Sequence, residues 1–186
     1  MTDAVRRDLD TRMSRAIDAM ERDFGAIRTG RASTALVERL GVEYYGTTTP
    51  LNQLASISVP EAHSIVIQPW DRSALGAIEK AIQRSDLGLT PNTDGTVVRL
   101  NIPQLTEDRR KELVRVVHKR MEDARVEIRN HRRDAADEIK RAEREGEVGA
   151  DEARRELDLL QKLTDRWTAE VDRAGKGKEQ EIMEVA

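Results

Sequence analysis

Residues 106–145 read TEDRRKELVRVVHKRMEDARVEIRNHRRDAADEIKRAERE, forty residues without a proline or glycine. At 1.5 Å per residue they predict one helix about 60 Å long. Pro103 precedes it, Thr106 is placed to cap the first N–H groups, and Glu107 and Asp108 suit the positive end of the helix dipole. Leu113, Val117, Met121, Ala124, Ile128, Ala135, Ile139 and Ala142 recur in steps of mostly four and three, an apolar seam at helical spacing. His131 falls on that seam. At about 100° per residue, Lys111, Arg115, Arg125, Arg129, Arg132 and Arg133 lie on one flank. Glu112, Asp123, Glu127, Asp134 and Glu138 lie towards the other. Two readings stay open from charge alone: a solvated helix laced with ion pairs, which charge by itself favours, or a basic flank that docks on a polyanion.

Working outward, two further amphipathic stretches flank this helix. Residues 2–29 carry the stripe Val5, Leu9, Met13, Ala16, Ile17, Met20, Phe24 and Ile27, with Gly30 at the expected C′ position. After a break at 146–149, a last helix runs from about Asp151, with Ala153, Leu157, Leu160, Leu163, Trp167, Val171 and Ala174 as its stripe. Gly175 and Gly177 weaken its final turns, so residues 178–186 are expected to fray or pack differently. Three such stripes can be buried only against one another, which predicts a three-helix bundle.

Between the first two helices the composition changes to β-branched residues, glycines and prolines. Val42-Glu43-Tyr44-Tyr45-Gly46 reads as strand into turn, and 54–59, 64–68 and 96–102 as strands. Residues 73–85 read as a short helix capped near Asp71 or Ser73, and Pro91-Asn92 and Asp94-Gly95 as turns. The fold class is therefore α+β. A bundle of 1–30 plus 105–186 carries an inserted α/β head of 31–104, with hinges near 30–31 and 103–105. Two connections permit hinge rotation and resist free tumbling.

The chain of 186 residues has a formal charge of −3, so it is not a basic nucleic-acid binder as a whole. Charge is nevertheless uneven: residues 105–145 sum to +2 and 146–186 to −4. Cysteine is absent, which excludes disulfides and fits a reducing cytosol. No apolar run spans a membrane and no signal peptide is visible. His63, His118 and His131 show no metal-ligand spacing, and no phosphate-binding or nucleophile motif occurs. Trp70 and Trp167 read as packing residues, and strand alternation buries one of Tyr44 and Tyr45. No active site, cofactor or metal is expected.

Several separated runs, in order along nearly the whole chain, resemble the ribosome recycling factor family. They are Ile27-Arg28-Thr29-Gly30-Arg31-Ala32-Ser33, Val42 to Gly46 with Thr49-Pro50-Leu51, and Asp86-Leu87-Gly88-Leu89 with Pro91-Asn92. Leu105 to Lys111, Ala124 to Ala135 and Gln161-Lys162-Leu163-Thr164-Asp165 complete the set. The resemblance implies an L-shaped molecule, a three-helix bundle carrying a small β/α/β sandwich. It implies a cytoplasmic, non-enzymatic translation factor. Such factors bind post-termination ribosomes through 23S rRNA of the large subunit and, with elongation factor G and GTP, separate the subunits. By the same resemblance Arg132 is the principal rRNA-contacting residue, with Arg129 and Arg133 as neighbours on the flank that also holds Arg125. Arg28 and Arg31 are the basic residues at the first hinge, and Gly30, Arg31, Pro103, Gln104 and Leu105 form the hinges. His131 stands inside the arginine run where an apolar residue is expected. A monomer is expected, since no apolar stripe is left over. Competing readings are a helical adaptor that binds proteins through charged faces, and a hydrolase or transferase using the head. The first predicts nuclease-insensitive binding, and the second needs a polar cleft that the letters do not supply.

Overall fold

The structure, a computed structural model, describes residues 3–184. They divide into two compact units: residues up to Arg28 together with those from Glu107 onward, and Thr29–Thr106.

The first unit is the three-helix bundle of α1 (Asp3–Gly25), α3 (Glu107–Arg144) and α4 (Ala150–Met183). Each helix packs against the other two. Leu9, Met13, Ala16, Ile17, Met20 and Phe24 of α1 are buried, as are Leu113, Val117, Met121, Ala124, Ile128, Ala135 and Ile139 of α3. Ala142 is half-buried at the end of the seam. Arg110 extends that seam one step earlier than the apolar letters allow: it is 8 % exposed, its stem giving apolar surface to the core. Its Nε is buried with no hydrogen-bond partner among the described residues. α1 stops at Gly25 rather than near Thr29. Ala26 N–H donates to Asp23 and Ile27 N–H to Phe24, bonds three residues long that close the last turn. Gly30 has φ +76° but lies beyond this closure, so it is not the helix cap. Thr2 lies outside the described residues.

α4 corrects a second expectation. It continues through Gly175 and Gly177 to Met183, with Ile182 fully buried. Gly175, not Ala174, occupies the buried step after Val171. A Cβ placed there would clash with Met121 Sδ and lie 2.8 Å from its Cγ. The missing side chain is thus the space that Met121 of α3 fills, and packing offsets the low helix propensity of glycine. Thr164 is also buried, its hydroxyl donating 2.8 Å back to Leu160 O. Of the expected tail, Val185 and Ala186 lie outside the described residues.

In the second unit, β3 (Ala55–Glu61), β4 (Ser64–Pro69), β5 (Pro91–Thr93) and β6 (Val98–Asn101) form an antiparallel sheet in the order β3-β4-β6-β5. β1 (Gly41–Tyr44) and β2 (Thr47–Pro50) form a separate hairpin, and α2 is Leu75–Arg84. Ile65 pairs with Leu100 and Ile67 with Val98. These four join Val42, Leu51, Ile78 and Ile82 in one core between sheets and helix. The architecture is the expected α+β one, a three-helix bundle with an inserted β/α/β sandwich.

Several local readings change. β3 runs through Pro60 instead of stopping there, because an edge strand with a register shift between Ser58 and Glu61 tolerates the missing N–H. Pro91-Asn92 is not a turn but the start of edge strand β5, paired with Leu100 and Arg99. β2, polar and threonine-rich, carries no apolar alternation to announce it. Asp71 caps the turn before α2, accepting 2.9 Å from Ser73 N–H. Asp94 closes its turn by accepting from Val97 and Thr96 N–H at 3.0 and 2.9 Å, which hold its carboxyl below the usual range.

Tyr44 is half-buried, and its hydroxyl donates 2.5 Å to Asp71 Oδ2. That bond pushes the phenol up to about 12, and with the Ser73 N–H bond it holds the Asp71 carboxyl below its ordinary value. A depressed carboxylate stabilises the fold above its unfolded pKa, and that contribution is lost as pH falls through the folded value. Tyr44→Phe is therefore expected to raise the Asp71 titration midpoint towards that of an ordinary aspartate. Carboxyl NMR chemical shifts against pH provide the check; an unmoved midpoint refutes the assignment of cause.

Candidate nucleic-acid interface

The four arginines singled out on α3 do not behave alike. Arg125 and Arg132, seven residues apart, face α4. Arg125 Nη2 donates 2.5 Å to Asp172 Oδ1, the main reason its guanidinium pKa is raised. It also lies 3.5 Å from Glu122. Arg125 is thus a tie between α3 and α4. Arg132 is half-buried and meets Gln161 Oε1 at a long 3.5 Å. Gln161 is itself turned by donating 2.8 Å to Asp165. Arg129 donates 2.6 Å to Glu122 Oε1, and Arg133 is exposed, 4.0 Å from Asp134. Glu122 is held below the usual carboxylate range, first by Arg129 and then by Arg125.

The first reading of the charged faces, ion pairing along the helix, is what the contacts show. Ion pairs do lace the helix, such as Lys111 with Glu107 at 2.7 Å and Arg109 with Glu112 at 2.8 Å. Yet the stretch from Arg129 to Arg133 puts three guanidinium groups within about 6 Å of helix rise. Their partners, Glu122, Gln161 and Asp134, are all exposed. His131 stands between them, half-buried, with Nε2 3.9 Å from Glu127 Oε1. His118 is exposed, 3.1 Å from Glu179 of α4.

The other ties within the bundle were not legible in the letters. Asp10 accepts from Trp167 Nε1 at 2.8 Å and from Arg166, whose guanidinium also lies 4.9 Å from the Trp167 ring. Asp23 of α1 accepts from Arg120 of α3. Trp167 is thus the packing residue expected. Trp70 is not: it is 68 % exposed.

The two first-hinge arginines fall in different units, Arg28 in the first and Arg31 in the second; both are exposed. The residues assigned to the hinges, Gly30, Arg31, Pro103, Gln104 and Leu105, all lie in the second unit. The chain passes between units at 28–29 and 106–107. What holds the linking segments is the β3–β4 turn. Ala32 N–H donates 2.7 Å to Ala62 O, and Ile102 N–H donates 2.7 Å to His63 O. His63 Nδ1 lies 2.8 Å from Gly30 O. A carbonyl only accepts, so Nδ1 carries the proton. Gly30 is buried where these segments cross, and a Cβ there would lie 3.2 Å from Leu105 Cγ and 3.4 Å from Pro103 O. Sequence spacing gives no hint of this clasp, whose parts come from three distant segments.

Gly30 needs its identity twice over, for φ +76° and for the close approach of Leu105. Gly30→Ala is expected to destabilise the second unit by about 2 kcal/mol, combining left-handed strain with overpacking. Urea unfolding measures it; a change below about 0.5 kcal/mol contradicts the crossing geometry.

Among the described residues, no group of three or more His, Asp or Glu side chains could hold a metal ion. No helix of those residues is long and apolar enough to cross a membrane. What the fold and this face define is a two-unit α+β protein with a basic, weakly committed helix flank. The family signature described as "Ribosome recycling factor" matches residues 20–183. The ribosome-recycling factor of Shouchella clausii is 54% identical over 185 residues, covering 100% of both chains. That of Halalkalibacterium halodurans is 51% identical over the same length, again covering 100% of each. A solution structure of a ribosome recycling factor superimposes with a TM-score of 0.72 at 47% identity, covering 96% of this chain and 95% of that one. A second structure places the Thermus thermophilus factor and Escherichia coli elongation factor G on the E. coli post-termination complex. It gives a TM-score of 0.62 at 44% identity, covering 99% of this chain and 100% of that chain. The chain belongs to the ribosome recycling factor family.

Proposed function

We propose that this protein binds the post-termination ribosome and, with elongation factor G and GTP, separates it into subunits so that mRNA and tRNA are released. The observation that carries the reading is the full-length kinship with recycling factors, joined to the basic flank of α3. The bundle docks on 23S rRNA of the large subunit through Arg132, with Arg129 and Arg133 beside it and Arg28 and Arg31 at the first linking segment. Arg125 belongs to the same flank but serves the bundle through Asp172. Guanidinium contacts to phosphate give salt-sensitive binding with little sequence readout, so the shape of the folded RNA supplies the specificity.

The factor works by binding rather than by chemistry, as a monomer in the cytoplasm, without a cofactor of its own. The bundle, up to Arg28 and from Glu107, and the head, Thr29–Thr106, act as separate bodies. Two chain connections let the head yield to the elongation factor while the bundle stays docked.

Co-sedimentation with purified large and small subunits across a salt series tests docking. The expected result is large-subunit binding that weakens steadily with salt. Subunit splitting with elongation factor G and GTP, read by light scattering, tests the outcome of docking. A folded protein that binds no large subunit at any salt defeats the proposal.

A further inference from the structure

The residues that read as hinges do not lie where the chain leaves the head. Gly30 and Arg31 on one linking segment, and Pro103, Gln104 and Leu105 on the other, are inside the second unit, which is bounded by Thr29 and Thr106. Neither segment belongs to a helix or strand, so something else must hold it to the sheet.

Ala62 and His63, the two residues between β3 and β4, do this from one end of the sheet. Ala62 O accepts from Ala32 N–H and His63 O from Ile102 N–H, both at 2.7 Å. Those bonds hold only the residue of each segment nearest the sheet. The His63 side chain reaches further, its Nδ1–H donating 2.8 Å to Gly30 O, two residues beyond Ala32. Gly30 in turn is buried against the other segment, where a Cβ would lie 3.3 Å from Leu105 N and 3.4 Å from Pro103 O. One imidazole thus fixes the first segment by a hydrogen bond and the second by contact across Gly30. The ring has no other polar contact: Nε2 is buried without a hydrogen-bond partner among the described residues. A buried polar atom left unpaired is costly, and the bond to Gly30 is what the ring supplies against that cost.

We propose that His63 is a positioning residue for head movement, bolting residues 29–32 and 102–106 to the head so that it turns on the bundle at 28–29 and 106–107. A hinge is a few residues that absorb a change in φ and ψ, and every further unfixed residue adds two soft dihedrals. With the segments bolted, a push on the head reaches its junctions with the bundle. With them loose, part of the push is taken up as bending of the segments. The consequence for splitting rests on the recycling reading; the place of the pivot does not.

Residual dipolar couplings of the full-length protein in a dilute alignment medium test the pivot directly. Two bodies that move relative to each other align differently. The amides of Gly30, Arg31, Gln104 and Leu105 are expected to fit the alignment of the β3, β4 and β6 amides. Couplings that follow the bundle, that follow neither unit, or that give one alignment for the whole chain overturn the proposal. Three variants test the residue. His63→Ala removes the bond. His63→Asn restores a donor close to the place of Nδ1, whereas His63→Gln puts its amide near the place of Nε2, which has no partner. The Ala and Gln variants should bind large subunits within about twofold of wild type and free Gly30 and Arg31 from the head's alignment. They should split post-termination ribosomes roughly fivefold more slowly, the scale of one net hydrogen bond. The Asn variant should restore both alignment and splitting. Wild-type splitting by His63→Ala, or equal splitting by the Asn and Gln variants, overturns the proposal. Failure of the unaltered protein to bind large subunits is a different result, which defeats the recycling reading and leaves the couplings to decide the pivot.

Discussion

Replacing Arg129, Arg132 and Arg133 together by alanine is expected to weaken large-subunit binding on the order of 100-fold or more at moderate salt. Charge-assisted hydrogen bonds contribute about 1.5–3 kcal/mol each when the partner is desolvated, and about 1.4 kcal/mol is tenfold in affinity. The logarithmic salt slope should also fall by about 2 to 3, since each phosphate contact accounts for slightly less than one. Stability should change by less than about 1 kcal/mol. The bonds lost, to Glu122, Gln161 and Asp134, are exposed or long, and such pairs contribute little. Arg132→Ala alone should lower affinity about tenfold. Arg125→Ala is the instructive contrast, because it removes the tie to Asp172 and should cost stability more than it costs binding. Co-sedimentation over a salt series, paired with thermal melts, separates the two effects. A triple variant that binds like wild type, with an unchanged salt slope, removes this face from the interface.

The second large effect is at Gly175. Gly175→Leu is expected to destabilise the bundle by about 3 kcal/mol, at the upper end for overpacking a filled core. The new side chain must displace Met121, which is 6 % exposed between α3 and α4. Gly175→Ala should also destabilise, by less, because the gain in helix propensity of about 1 kcal/mol partly offsets the clash. Gly177→Ala, two residues on, should have the opposite sign. It is exposed with nothing within 4 Å of a new Cβ, so only the propensity gain of up to about 1 kcal/mol remains. Met121→Ala should relieve Gly175→Leu, a double-mutant cycle with strong positive coupling. Equal effects at the two glycines would show that α4 does not approach α3 as described.

The helices were legible because their burial is periodic. The seam from Leu113 to Ile139, with the half-buried His131 on it, names the buried residues of α3 with one omission, Arg110 at its start. Arg110 is invisible to a pattern of apolar letters because burial there uses its stem. The head was less legible. β2 is polar and β5 begins with proline, so neither carries the alternation that marks a strand. Each exists because a neighbour supplies the pairing, β1 and β6 respectively.

By itself the sequence determined the three-helix bundle, the inserted α/β unit and the basic flank of α3, since all three follow from periodicity and charge along contiguous residues. Its ordered motifs also carried the family resemblance. Only the tertiary structure decided which arginines are committed. Arg125 and Arg132 have the same helical phase, and what separates them is whether α4 presents Asp172 or Gln161. Only it decided that Gly175 is a contact and not a weakness, that Trp70 faces water, and that Ala62 and His63 clasp the linking segments. Each of these depends on residues 29 or more positions apart in the chain, or on a neighbour's absence, and a local pattern holds no information about either.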